Sequence, residues 1–239
     1  RGERFESHWA SREEARRLLA VFDRDARGEG EPGRPGRDDA LHAVPYACML
    51  AIALLTCLRV ESEWGGMRWR DVDLTAKTAS LVRVRLHDGT AVPAGNSKHK
   101  RRLIHLSDEA VHFLELERKW QARMRNENAG AWLDTEGYVF TNQFGEPIRQ
   151  STLQRQFLRL QAEAQVPRMR VHDLRHTGAT LLLAAGVHVK VVSDMLGHST
   201  IKMTLDTYSH VVPGLEEAAA NQLGAMLWAG PDKLPDTLD

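Results

Sequence analysis

Three short runs decide how this chain is read: Val171-His172-Asp173-Leu174-Arg175-His176-Thr177-Gly178, then Leu196-Gly197-His198-Ser199-Thr200, then Leu205-Asp206-Thr207-Tyr208-Ser209-His210. Apolar spacing predicts a helix over about 171–185, ended by Gly186, and a second over 188–196, stopped by Gly197. A short helix or turn follows over 200–208, before Pro213. On the first helix His172 shares a face with Arg175, three residues on, and can share one with His176, four on. An arginine, several imidazoles and a tyrosine in so short a span can bind and polarise a phosphate and also supply a nucleophile. The rest of the chain is then tested by whether it completes such a site.

Working outward, Ser11 reads as the N-cap of a helix to about Asp25, with Glu13 and Glu14 in its first turn and Leu18, Leu19 and Phe22 facing inward. Residues 26–38 form a polar Gly/Pro loop, expected to be flexible. A buried helix is predicted from about Leu41 to Leu58, with Arg59 at its end. A cation there needs a partner, and Glu61 or Glu63 can supply it. Ser80–Leu86 alternates as a strand, Asp88-Gly89 signals a hairpin, and Ala91–Ala94 and Arg102–Leu106 read as further strands. Lys98 and Lys100 fall in the turn before the last strand. Ser107 and Ser151 read as caps of helices to about Arg125 and over 151–164, and Tyr138–Thr141 as a brief extended piece between them. Leu215–Trp228 is an apolar, Ala-rich helix, and the acidic tail 229–239 is expected to be disordered.

The chain has 239 residues, 42% hydrophobic and 27% charged, which suits a folded globular protein. No run of 18 apolar residues occurs; the longest apolar stretch, Ala47–Leu58, is interrupted by Thr56. No signal peptide is visible. Cys48 and Cys57 lie in that apolar stretch and read as buried small side chains of a reducing compartment rather than a disulfide. The chain opens at Arg1 rather than at methionine, as a fragment of a longer protein would. Net charge is zero, which speaks against a nucleic-acid binder, but the distribution is uneven. Residues 206–239 hold six of the 32 acids and one of the 32 bases, so the remainder has 31 bases against 26 acids. Six arginines lie between Arg149 and Arg175. A basic face and an ordinary solvated surface both fit that pattern.

His172-Asp173-Leu174-Arg175-His176 also fits the helical zinc pattern H-[D/E]-x-x-H. The zinc reading lacks a third ligand, Asp173 is shorter than the usual glutamate, and Arg175 would set a permanent cation beside the metal. No metal is expected. The joint pattern is more specific. His-x-x-Arg, then Leu-Gly-His, then Tyr ten residues after that histidine, resembles the tyrosine recombinase (phage integrase) family. Thr56-Cys57-Leu58-Arg59 is similar to the family's upstream Thr-Gly-Leu-Arg, with Cys57 in place of glycine. The family usually has a glutamate three residues after that arginine. Here Ser62 stands at that position, Glu63 takes its place across a one-residue insertion, and Met67-Arg68-Trp69-Arg70-Asp71-Val72-Asp73 arrives one residue late. The resemblance covers residues 10–225.

The resemblance implies a mainly α fold with a small antiparallel β-sheet, the recombinase catalytic domain, over residues 1–228. The family's separate N-terminal DNA-clamping domain is not expected within these residues. It also implies a site-specific recombinase acting on double-stranded DNA sites through a 3′-phosphotyrosine intermediate, with neither a cofactor nor a metal. Arg59 and Arg175 would fork onto the phosphoryl oxygens and His198 would add a hydrogen bond. Tyr208 would be the nucleophile, His172 would accept its proton, and Lys98, or else Lys100, would protonate the leaving 5′ oxygen. Implied partners are a homo-oligomer, a tetramer on DNA, and accessory DNA-bending proteins, in the cytoplasm of a bacterium and with no membrane. The helix over 214–228 would pack on a neighbouring subunit or on its own domain. A type IB topoisomerase-like nicking-closing enzyme and a non-catalytic DNA-binding relative remain as alternatives.

Overall fold

A computed structural model of the chain describes residues 9–30, 40–95, 101–208 and 215–228. Its elements in order are α1 (Arg12–Ala26), α2 (Ala40–Thr56), β1 (Val72–Asp73), β2 (Thr78–Leu81), β3 (Arg83–Arg85), β4 (Ala91–Pro93), β5 (Arg102–His105), α3 (Asp108–Glu127), α4 (Gln150–Glu163), α5 (Val171–Ala184), α6 (Val189–Leu196), α7 (Ile201–Tyr208) and α8 (Leu215–Trp228). This is the expected mainly α fold with a small antiparallel sheet. Most of the predicted 26–38 loop and the 229–239 tail lie outside the described residues.

The core is organised around α2. Its residues Ala47 to Ala53 are all buried, with only 2% exposure at most. No polar side chain interrupts them, so every face of the helix can take an apolar neighbour. It packs against α1, α3, α4 and α5, which surround it. Small side chains let the neighbours approach, and Cys48 and Cys57 are both buried free thiols, as expected of them. α1 begins where predicted: Ser11 Oγ accepts the Glu14 N–H and Glu14 reaches back to the Ser11 N–H, a closed capping box. α1 buries Leu18 and Phe22, with Ala15, Asp25 and Ala26 beside them.

The predicted strand over 80–86 is two strands. β2 pairs with β5 (Ala79 opposite Ile104) and β1 pairs with β2, giving the order β1-β2-β5. β3 pairs only with β4, across the Asp88-Gly89 turn. The break falls at Val82, whose carbonyl accepts the Ala94 N–H, while Arg85 N–H turns to the Ser62 carbonyl. The chain leaves one sheet there and enters the other, which an alternating pattern alone does not reveal. Gly66 makes this crossing possible: a Cβ on it would lie 2.8 Å from the Arg85 nitrogen. The α4 cap also differs from expectation. Arg149 holds the cap position without a side-chain hydrogen bond, and Ser151 sits inside the helix.

Candidate active site

The site is built at the meeting of the C-terminal end of α2, the α5 start and the α6–α7 turn. α5 starts on a charged clamp. Asp173 is 1% exposed; its carboxylate accepts the Arg170 backbone N–H (2.8 Å) and the Arg170 guanidinium (2.8 and 3.1 Å). An acid in the first turn suits the helix N-terminus. It also answers the zinc reading, since Asp173 serves the helix start. Among the described residues no group of three His, Cys, Asp or Glu could hold a metal ion.

One turn on, Arg175 is 2% exposed. Its Nη1 donates to the Cys57 carbonyl (2.8 Å) and its Nη2 to the Leu196 carbonyl (2.6 Å). A buried guanidinium with two carbonyl acceptors is held in one orientation. Burial, and next the nearby charge of Arg59, pull its pKa down to about 10, with Glu63 opposing. Arg175 therefore stays a cation at neutral pH.

The Leu196-Gly197-His198 run has a mechanical reading. Gly197 ends α6 at φ +67°, and its N–H and that of His198 close back on Asp194 and Ser193. This turn aims the Leu196 carbonyl at Arg175 and puts His198 at the start of the next segment. A side chain at 197 would also strike Arg102, whose Nη1 lies 2.5 Å from an added Cβ. His198 Nδ1 pairs with Thr204 Oγ1 at 2.9 Å. Burial, then Arg175 and Arg59, lower the His198 pKa to about 4. The ring is neutral at pH 7 and can donate a hydrogen bond without carrying charge.

Tyr208 closes α7 and is 3% exposed, packed with Cys57, Ala179, Leu183, Val192 and Leu196. Burial raises its pKa to about 12, partly offset by Arg175. Its hydroxyl lies 2.8 Å from His176 Nδ1. The His176 ring stands edge-on to that of His172, centroids 4.9 Å apart. His172 keeps one edge open to solvent, yet loss of solvent around the ring, then His176, Arg175 and Arg59, bring its pKa to about 4. His176 is lowered too, first by burial.

Glu63 is the common counter-ion. It is fully buried. Its carboxylate accepts the Arg59 backbone N–H (2.8 Å), Arg59 Nη1 (3.3 Å) and Arg102 Nη2 (3.1 and 3.2 Å), and lies 3.8 Å from Arg175 Nη1. The Arg59 carbonyl accepts the N–H of Glu63 and Trp64, so the chain makes a turn after α2 that brings position 63 beneath position 59. A cavity of about 590 Å3 opens beside Arg59 and His172, bordered further along by Arg85, His87 and Arg149. Two cations, neutral imidazoles and a buried phenol on one spot could bind an anionic diester and attack it.

The phage integrase family profile matches residues 13–213. The chain belongs to the phage integrase family. Curated relatives of this integrase-family chain include a XerC-like tyrosine recombinase of Caldanaerobacter subterraneus subsp. tengcongensis, 29% identical over 77% of this chain and 50% of the relative. Another is the ICEBs1 integrase of Bacillus subtilis, 26% identical over 76% of this chain and 49% of the relative. The chain thus spans about half the length of these curated relatives. The same fold occurs in a crystal structure of XerA recombinase (22% identity, TM-score 0.61, 92% of this chain and 66% of that one). It also occurs in the Tn1549 transposon integrase in complex with transposon right-end DNA (19% identity, TM-score 0.67, 94% and 69%).

Of the residues singled out in the sequence of this integrase-family chain, Arg59, His172, Arg175, His198 and Tyr208 come together. Lys98 and Lys100 lie outside the described residues. The expected pairing of Tyr208 with His172 is not what the structure has; His176, one turn along the same face, is the histidine on the hydroxyl. Two further residues were given no site role in the sequence reading. His176 was visible only as a neighbour of His172 at helical spacing, and Arg102 only as the first residue of a predicted strand.

Proposed function

We propose that this chain is the catalytic part, residues 1–228, of a site-specific DNA recombinase that cuts and rejoins strands through a 3′-phosphotyrosine. The observation that carries the reading is the convergence of Arg59 and Arg175 on one buried carboxylate, beside His198 and the buried Tyr208. In this reading the two guanidiniums and His198 bind the non-bridging oxygens of the scissile phosphate and stabilise the charge that builds on them. Each such donor typically contributes ~3–4 kcal/mol in the transition state. Tyr208 Oη attacks phosphorus, the P–O5′ bond breaks, and Lys98, or else Lys100, protonates the leaving oxygen. The ester is conserved in the phosphotyrosine, so rejoining needs no external energy source.

The substrate is double-stranded DNA, and the enzyme works as a tetramer on it with accessory DNA-bending proteins, in the cytoplasm of a bacterium. α8 supports an assembled state: Leu223, Leu227 and Trp228 are 58, 78 and 93% exposed, a costly surface to leave in water and one suited to a second copy. Among the described residues no helix is long and apolar enough to cross a membrane.

The test is covalent capture from a pool of nicked duplexes randomised around the nick. The wild-type chain is expected to form a detergent-stable DNA adduct. Tyr208→Phe should bind the captured sequence and form none; an adduct with that variant overturns the nucleophile assignment. Strand exchange between two captured sites, rather than relaxation alone, separates a recombinase from a nicking-closing enzyme.

A further inference from the structure

A buried tyrosine whose pKa is raised needs something to take its proton, and the residue in contact with it is not the histidine of the His-x-x-Arg motif. His176 Nδ1 is 2.8 Å from Tyr208 Oη, a hydrogen-bonding distance. His172 meets His176 through a ring contact, not the phenol. We propose that His176 is the general base of the cleavage step, receiving the Tyr208 proton on Nδ1 while His172 braces its ring from the side. The proposal rests on the recombinase reading above and deepens it.

The step balances as follows. The Oη–P bond forms and the P–O5′ bond breaks. The Oη proton passes to His176 Nδ1, making an imidazolium, and the leaving O5′ takes a proton from the ammonium of Lys98 or else Lys100. Rejoining runs the same transfers backwards. For this the resting ring carries its proton on Nε2 and presents the Nδ1 lone pair to the phenol. The groups facing His176 are Asp173, Arg175 and His172 on α5, Arg170 at the α5 N-cap, His198 after α6 and Tyr208 on α7. Their balance, with burial, keeps the ring neutral at pH 7, the form a base requires. The negative charge that grows on the phosphoryl oxygens in the transition state favours the imidazolium beside it, so the proton is accepted when attack begins.

The contact alone would also fit a residue that only holds the phenol in place, so the test separates the two roles. His176→Asn puts an amide near the place of Nδ1, where it can still hydrogen-bond Tyr208 but cannot take its proton. His176→Phe removes both. The substrate is the duplex captured by the wild-type chain, in its ordinary form and with a 5′-bridging phosphorothiolate at the scissile bond, whose thiolate leaves without a proton. Both His176 variants are expected to bind DNA normally and to form adduct at least ~100-fold more slowly, the usual range for a lost acid or base. They should stay slow on the phosphorothiolate, and the low-pH limb of the wild-type rate profile should vanish in His176→Asn. Near-wild-type rates for His176→Asn would reduce the residue to a support and overturn the proposal. Recovery of the His176 variants on the phosphorothiolate would place the residue on the leaving-group side and also overturn it. If the wild-type chain captures no DNA, the recombinase reading falls and takes the proposal with it; capture by the wild type with fast His176 variants removes the proposal alone.

Discussion

Replacing Glu63 with glutamine tests the electrostatic centre of the site. The carboxylate is fully buried and faces Arg59, Arg102 and Arg175. Glutamine keeps the shape but turns one oxygen into an NH2 group. On one side that group faces the Arg59 backbone N–H (now 2.8 Å from oxygen); on the other it faces Arg59 Nη1. Either way a donor meets a donor, and three guanidiniums lose a shared negative neighbour. Leaving a buried donor unpaired costs about 1–3 kcal/mol, and breaking a buried ion pair from one side typically costs about 3–5 kcal/mol. We expect the larger figure to describe the whole effect, since it already contains the first. For a chain of this size that lowers Tm by roughly 6–20 °C. Scanning calorimetry at low and high salt is the assay, and the loss should persist at high salt because buried charges are weakly screened. Glu61→Gln, at an exposed position, is the control and should change little. A loss under about 1 kcal/mol for Glu63→Gln, the range of an exposed pair, would refute the reasoning.

Other expectations are as direct. Arg175→Lys keeps the charge but cannot span the Cys57 and Leu196 carbonyls and a phosphate together; adduct formation should fall roughly 100- to 1000-fold, and near-normal rates would contradict the fork. Gly178→Ala would put a Cβ 2.5 Å from Cys57 Sγ and 2.7 Å from the Leu54 carbonyl, so urea unfolding should show a loss of about 1–3 kcal/mol. The pH dependence follows from His172 and His198, whose folded pKa values of about 4 lie below the ordinary 6.5. Between those values the unfolded chain binds more protons than the folded one, so stability should rise from pH 4 to 6.5 and level off above about 7. A His172→Gln/His198→Gln variant should show a flatter slope over that window, and an unchanged slope would contradict the depressed values.

Much of the fold was legible because it rests on local signals. Ser11 with Glu14, Gly197 after Leu196 and the unbroken apolar run of α2 each mark a boundary or a buried face by their own chemistry. Glu63 could be inferred as the Arg59 partner because a helical turn brings a residue four positions on back to its start. What was not legible depends on distant chain. The strand expected over 80–86 divides at Val82 because Ala94 and Ser62 take its backbone groups. Helical spacing puts both His172 and His176 on the site side of α5, and only the crossing of α7 selects which meets Tyr208. Arg102 reaches Glu63 from 39 residues away, a contact that no spacing rule encodes.

The two carbonyls that hold Arg175 have a stereochemical consequence. Of the five N–H groups on a guanidinium, one points to Cys57 and one to Leu196, so a ligand can be met only along the edge that remains. The two non-bridging oxygens of a DNA phosphodiester are diastereotopic, and such a fixed edge can favour one of them. A scissile phosphate carrying a single sulfur or methyl in place of one oxygen would then react at different rates as its Rp and Sp forms. Handedness at phosphorus would be set by two backbone oxygens that never touch the substrate.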